Sequence, residues 1–326
     1  MNVMTLLPAT LAAILLSTAP AFAQTPAKAV GADFPIKPIR ILVAFPPGAS
    51  TDIIARLIAA KLTEAWGQNV IIENRGGAGG NIGAQVAARA NNDGYTLLGT
   101  SVAFAVNVSL YANPGYAISD FTPVIQAAYT PNIFFVHPSV PANTLAEMIA
   151  LAKTKPLSYA SSGTGTTTHL AMALLKTLAK VDIQHVPYSP ATAVTAVVGG
   201  QVPIGSTSMP PAVPLIKGNR IRGLAVTSAK RSPALPEIPT VAEQGFPGFA
   251  DYTWFAFFAP SGTPLPIVNK LNAGIQRALQ APDVKERLAG LSFDVTPNTA
   301  AEFATTLKAE VAQYAKVVKA SGAKAD

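Results

Sequence analysis

The run Phe45-Pro46-Pro47-Gly48-Ala49-Ser50-Thr51-Asp52-Ile53-Ile54-Ala55-Arg56 constrains the fold more than any other part of the chain. It follows the apolar stretch Ile41-Leu42-Val43-Ala44 and leads into Ile54, Leu57, Ile58 and Leu62, which recur at helical spacing. This order predicts a strand that ends in a turn of small residues and opens a helix. Such a turn aims unpaired backbone N–H groups, and the positive end of the helix dipole, at whatever occupies the loop. No lysine follows the glycine, as a phosphate-binding P-loop requires. The turn therefore suits a smaller anion, most simply a carboxylate.

The rest of the chain repeats this grammar. Strand-like stretches at 39–45, 70–73 and 95–100 alternate with helical spacing at 52–66 and 81–90, and Gly67 stands where the first helix should stop. Further strands are predicted at 133–136, 157–160, 183–187, 202–206 and 221–227, with helices at 167–180, 191–198 and 211–216. Thr144 and Glu147 form a capping-box pair ahead of Leu145, Met148 and Leu151. An aromatic strand at 251–259 is followed by helices at 266–279 and 300–320. Alternation of this kind implies parallel strands joined by right-handed helical crossovers.

Near the N-terminus, Leu11 to Leu16 is a short apolar core and Ala21-Phe22-Ala23 fits a small-x-small cleavage pattern. Residues 1–23 therefore read as a secretory signal with the mature chain starting at Gln24; a buried helix is the alternative. The sequence has no cysteine, so disulfides, a thiol nucleophile and a lipobox anchor are all excluded. The net charge of +7 favours anionic partners in general. The basic residues are scattered without aromatic interleaving, so nucleic acid is not indicated. His137, His169 and His185 lack metal spacing.

The blocks Glu73-Asn74-Arg75-Gly76-Gly77-Ala78-Gly79-Gly80-Asn81, Asp93-Gly94-Tyr95-Thr96-Leu97-Leu98 and Tyr159-Ala160-Ser161-Ser162-Gly163 follow the first run in order. They are succeeded by His185-Val186-Pro187-Tyr188, Gly199-Gly200-Gln201-Val202, Leu224-Ala225-Val226-Thr227-Ser228-Ala229-Lys230-Arg231 and Pro239-Thr240-Val241-Ala242-Glu243-Gln244-Gly245. With Phe45–Arg56, this series resembles the tripartite tricarboxylate transporter receptors, the Bug-type periplasmic solute-binding proteins, over nearly the whole mature chain. The resemblance implies an α/β, two-lobed, type II-like Venus flytrap. Each lobe would be a mostly parallel sheet flanked by helices, and two crossover strands would join them. Lobe 1 would be 24–130 plus 254–326, and lobe 2 would be 131–253. It also implies a small carboxylate ligand and a two-subunit integral membrane transporter as partner. No cofactor is expected, and the receptor itself is expected to be a monomer.

Candidate ligand residues follow from both readings. In the first turn they are Phe45, Gly48, Ala49, Ser50 and Thr51, with capping of the helix alone as the alternative role for Ser50 or Thr51. Asp52, at a helix start, reads as structural. Ala49 departs from the Gly-Gly-Ser common in the family. In the glycine-rich loop, Asn81 is a candidate by resemblance and a helix cap by the bland reading. Ser101 follows the third strand. In the second half, Ser161, Ser162, Gly163, Thr164 and Thr166 open the helix at 167–180 as a counterpart of the first turn. His185 and Tyr188 are further candidates, with a satisfied structural histidine as the alternative for His185. Thr207 stands where the family often has Asp. A cleft without that carboxylate should not reward a ligand ammonium group, which predicts a non-amino acid, either a diacid or an aromatic one. Phe45, Tyr188 and Phe104 would offer its apolar middle.

Enzymatic readings fare poorly. Gly99-Thr100-Ser101-Val102-Ala103 approaches the Gly-x-Ser-x-Gly nucleophile elbow and fails at the last position. Carboxylates are sparse in the small-residue loops, leaving no pair for glycoside chemistry. A ligand-presenting sensor protein and, less favoured, a periplasmic hydrolase stand as the alternatives to transport.

Overall fold

The computed structural model describes residues 33–321 together with Met1. The signal segment, its cleavage pattern and the start at Gln24 lie outside the described residues. The first elements are β1 (Ile39–Val43), α1 (Ser50–Trp66), β2 (Val70–Asn74), α2 (Asn81–Ala88), β3 (Thr96–Ser101) and α3 (Ala103–Leu110). β1 pairs in parallel with both β2 and β3. Its residues Ile39, Ile41, Leu42 and Val43 are all fully buried, because helices cover both faces of the sheet. On one face lie Ile54, Ile58 and Leu62 of α1. Ala84 and Ala87 of α2 and Phe104 of α3 lie on the other. Gly67 ends α1 as expected, in the left-handed region at φ 64°, with its N–H donating to the Thr63 carbonyl at 3.0 Å.

β4 (Phe121–Val136) then leaves the first lobe as one continuous 16-residue strand. Its first part pairs antiparallel with β9 (Tyr252–Pro260), from Phe121↔Pro260 to Pro131↔Tyr252. From Asn132 onward it pairs with strands of the second lobe. The sequence pointed to a strand only at 133–136. The earlier part is interrupted by Pro123 and Gln126, where the register shifts, and such irregularities blur the alternation that marks a strand.

The second lobe comprises α4 (Leu145–Thr154), β5 (Ser158–Ser161), α5 (Thr167–Ala179), β6 (Gln184–Pro187), α6 (Pro190–Val198), β7 (Ile204–Ser208), α7 (Met209–Lys217) and β8 (Arg222–Val226). Alternate residues of β4 divide its core. Ile133 and Phe135 meet Met209 and Val213 on one face, while Phe134 and Val136 meet Tyr159, Met172 and Leu175 on the other. After β9 the chain returns to the first lobe through α8 (Leu265–Gln280), α9 (Pro282–Gly290), β10 (Asp294–Val295) and α10 (Ala300–Ser321).

The whole forms a ten-stranded mixed sheet among the described residues, in the order β2-β1-β3-β9-β4-β7-β5-β6, with β8 and β10 both paired to β4. Parallel pairing holds in the outer strands of each lobe. It gives way to antiparallel pairing around β4 and β9 because one carries the chain out of the first lobe and the other carries it back. Helices α3 and α9 were not anticipated. β7 lies two residues later than its apolar signal, because Gly205, Ser206 and Thr207 have weak strand character. Gly205 is required there, since an added Cβ would come 2.2 Å from the Phe135 ring. Among the described residues no helix is long and apolar enough to cross a membrane.

Candidate ligand site

The turn before α1 closes with the Ala49 N–H donating to the Pro46 carbonyl at 3.2 Å, and Gly48 takes φ 81°. The helix N-cap is Ala49, whose methyl group cannot accept a hydrogen bond, so neither Ser50 nor Thr51 is the cap. Asp52 reaches back instead. Its Oδ2 accepts from Gly48 N and from Arg56 Nε, both at 2.9 Å, and its Oδ1 accepts from Asn74 Nδ2 at 2.9 Å. Asn74 Nδ2 also donates to the Phe45 carbonyl at 2.9 Å. Burial pushes the Asp52 carboxyl up, but these donors outweigh it and hold it below the usual carboxylate range. The charge is therefore committed to shaping the turn, as its place at a helix start suggested. The N–H groups of Ser50 and Thr51 find no partner among the described residues.

The second wall is the start of α5. Thr166 is its N-cap, with Oγ1 accepting from His169 N at 3.4 Å and donating to the Gly163 carbonyl at 2.7 Å. Thr168 Oγ1 accepts from Ser162 N at 3.0 Å. His169 Nδ1 accepts from Gly165 N at 3.3 Å, so one imidazole nitrogen holds the loop in place. One hydroxyl pair ties each wall to a strand of the sheet. Ser50 Oγ meets Ser208 Oγ of β7 at 2.7 Å, and Thr167 Oγ1 meets Thr253 Oγ1 of β9.

Between these walls lies a narrow cavity of about 30 Å³. As closed as this it has room for about one or two waters, so a larger ligand requires the walls to part. Phe45, Ala49, Pro190 and Phe255 supply apolar surface; Ser50, Thr51, Ser101, Ser162, Thr166, Thr167, Thr168, Ser208 and Thr253 supply hydroxyls. Among the described residues no charged side chain lines it. An anion there meets neutral donors and two helix N-termini, while an ammonium group meets no counter-charge.

Of the residues singled out from the sequence, Phe45, Ala49, Ser50, Thr51, Ser101, Ser162 and Thr166 line this cavity. The others sit elsewhere. Gly48 is exposed at the turn, where an added Cβ would meet nothing within 4 Å. Asn81 is buried as the first residue of α2, capped by Gly80, and its Oδ1 accepts from Asn107 Nδ2 at 2.7 Å. Gly163 and Thr164 form the rim of the second loop, with the Thr164 carbonyl facing Gly79 of the opposite lobe. Tyr188 is half-buried against the second-lobe core. Thr207 is fully buried behind the cavity, its Oγ1 at 3.5 Å from Ser162 Oγ. Its neighbour Ser208 lines the wall instead. Phe104 is core, stacked on Tyr116 at 5.0 Å, and Phe255 supplies the ring it was expected to offer.

Ser161 Oγ lies 2.7 Å from His185 Nε2, which superficially resembles a nucleophile and its base. Ser161 is fully buried, however, and no carboxylate among the described residues bonds to His185. The two histidines stack at 4.2 Å. Burial, then His169 and Lys176, push His185 down to about 4, and burial likewise lowers His169. Both are neutral packing residues behind the loop.

Thr167, Thr168, Pro190, Ser208, Thr253 and Phe255 line the cavity without having been selected. Thr167 and Thr168 continue the hydroxyl run already noticed at 161–166. Thr253 and Phe255 were legible only as alternate positions of an aromatic strand.

Comparison with known proteins gives a consistent result. The sequence profile described as "Tripartite tricarboxylate transporter family receptor" matches residues 54–323. A Pseudomonas sp. (strain P51) protein, described as the UPF0065 protein in the tcbD-tcbE intergenic region, is 40% identical over 290 residues, covering 87% of this chain and 86% of that protein. The structure of R. palustris Rpa4515 with adipate is similar at 37% identity and a TM-score of 0.85, covering 89% of this chain and 98% of that one. MatC from Rhodopseudomonas palustris with bound malate is similar at 32% identity and a TM-score of 0.81, covering 87% and 100%.

Proposed function

The chain belongs to the tripartite tricarboxylate transporter receptor family, and from that membership we propose how its cleft selects a ligand. It is a periplasmic carboxylate-binding receptor that serves a membrane transporter, and its task is capture rather than catalysis. The proposed ligand is a small non-amino acid, a dicarboxylate or an aromatic carboxylate. One observation supports this above all: the cavity combines two helix N-termini and a wall of hydroxyls with no charged side chain of either sign. A carboxylate takes charge-assisted hydrogen bonds from such donors. Adipate and malate, bound by the two relatives, are both dicarboxylates without an amino group.

In the proposed cycle the Ala49–Thr51 turn captures one carboxylate in an open form. Closure then brings Ser162, Thr166 and Thr167 onto the other side, with bridging waters completing the coordination. The lobes are 24–130 plus 254–326 and 131–253, a division supported by hydrophobic clusters that respect it. The receptor acts as a monomer, is exported by a leader at residues 1–23, and serves a two-subunit permease.

The test is a thermal-shift screen of the mature protein against mono-, di- and tricarboxylates and amino acids. A ligand that binds only the native state raises the melting temperature with its concentration. Diacids should stabilise the protein and amino acids should not; the reverse ranking would sink the proposal. Replacing Ser162 and Thr166 with leucine should abolish the shift while the protein still melts cooperatively.

A further inference from the structure

Strand β9 has two working faces. Thr253 and Phe255 line the ligand cavity, whereas Tyr252 and Trp254 line a second groove on the opposite side of the β4/β9 ribbon. This groove offers about 1040 Å³ and is walled by α5 of one lobe and α10 of the other, with Thr167 shared between the two sites. Two carboxyl groups open onto it. Asp251 is bonded by Asn132 Nδ2, and Glu310 by Trp254 Nε1. Neither has a cationic partner among the described residues. Burial raises both, Asp251 to about 7. Tyr314 lines the same groove, and its phenol is raised first by burial and then by the two acids.

Both acids are half-buried, so ionising them without a cationic partner is costly and a counter-ion relieves that cost. The surrounding walls are aromatic: Tyr129 and Tyr252 meet edge to face at 5.5 Å, beside Trp254 and Tyr314. Electron-rich rings flanking unpaired acids make an environment for a cation with an apolar body, and α5 exposes Leu174 there. We propose that this groove is a second ligand site that takes a small organic ammonium ion. Its charged head would lie between Asp251 and Glu310 against the rings, and its apolar body along Leu170 and Leu174. The carboxylate cavity lacks any acid, so the two sites select opposite charges.

The experiment follows Trp254 fluorescence during titration with benzylammonium at about pH 8, where Asp251 is largely ionised. Benzyl alcohol serves as the neutral match, and a Trp66→Phe background isolates the signal, since the chain has only two tryptophans. The expected result is a saturable change with benzylammonium and none with the alcohol. Glu310→Gln and Asp251→Asn should each weaken binding by about fivefold or more. Equal response to the alcohol, no saturable response to the ammonium, or unchanged affinity in both variants would overturn the assignment. Should Asp251→Asn disturb the hinge, Glu310→Gln and the alcohol comparison still decide it. The Ser162/Thr166 leucine variant should bind benzylammonium normally, which separates failure here from failure of the carboxylate reading.

Discussion

Gly165→Ala tests whether the second loop must close against the first lobe for ligand to be held. Gly165 has φ 79°, and an added Cβ would lie 2.1 Å from Leu110 Cδ2 on α3, across the cleft. Two costs arise, and they act on different equilibria. The left-handed backbone costs alanine about 1–2 kcal/mol in any folded form, open or closed. This lowers the melting temperature by a few degrees but leaves the open–closed balance unchanged. The clash exists only when the lobes meet, and overpacking of this kind costs about 1–3 kcal/mol. Calorimetric titration with the best diacid should therefore show binding weakened by roughly 5- to 150-fold. Adding Leu110→Val removes the clashing methyl, so the double variant should recover most of the affinity and none of the backbone cost. Wild-type affinity in Gly165→Ala would refute closure of this loop onto α3. Weakened binding that Leu110→Val fails to restore would show that the loss comes from distortion of the loop itself.

Other expectations bear on charge and pH. Ser208→Asp places a carboxylate on the cavity wall and should weaken diacid binding at least about tenfold by like-charge repulsion; an unchanged affinity would place Ser208 outside the site. Asp52→Asn removes the charge and one of the two acceptor oxygens, so either Gly48 and Arg56 or Asn74 loses its acceptor, and should cost about 1.5–3 kcal/mol of stability, read from urea denaturation. Because burial raises the folded-state pKa of Asp251 to about 7, its contribution favours the fold at low pH and is lost as pH rises from about 4 through 7. The difference is on the order of 4 kcal/mol at most. Melting curves of Asp251→Asn should lack this component, and parallel pH profiles for the two proteins would contradict it. His169 and His185 are both depressed by burial, so their contribution is present above the ordinary histidine range and fades as pH falls below it, for His185 toward about 4. Protonation of His169 also removes the acceptor for Gly165 N–H, so ligand affinity should fall as pH drops below the ordinary histidine range. Affinity that stays flat there would separate the histidines from the loop.

Much of the local structure was legible in the residues. The 45–56 turn, the stop at Gly67, the Thr144–Glu147 cap and the hydroxyl-rich start of α5 are determined by neighbours a few positions apart. Their signals survive in any tertiary context. The misses share a different cause. α3 carries apolar residues on every side, because it is enclosed by core, and so presents no periodic face to read. The first part of β4 was obscured by its register shifts, and β7 by small residues that accommodate the Phe135 ring.

Sequence alone thus determined that two helices begin in small, hydroxyl-bearing turns able to meet an anion, since backbone geometry and unpaired N–H groups follow from local order. Only the tertiary structure decided which hydroxyls share one cavity. The pairs that close it, Ser50 with Ser208 and Thr167 with Thr253, are 158 and 86 residues apart. Strand register decided that Ser208 rather than Thr207 lines the cavity, and that one face of β9 borders this cavity while its other face meets two acids with no cationic partner among the described residues. A strand's alternation is visible in its residues, but which neighbour each face meets depends on how distant segments pack.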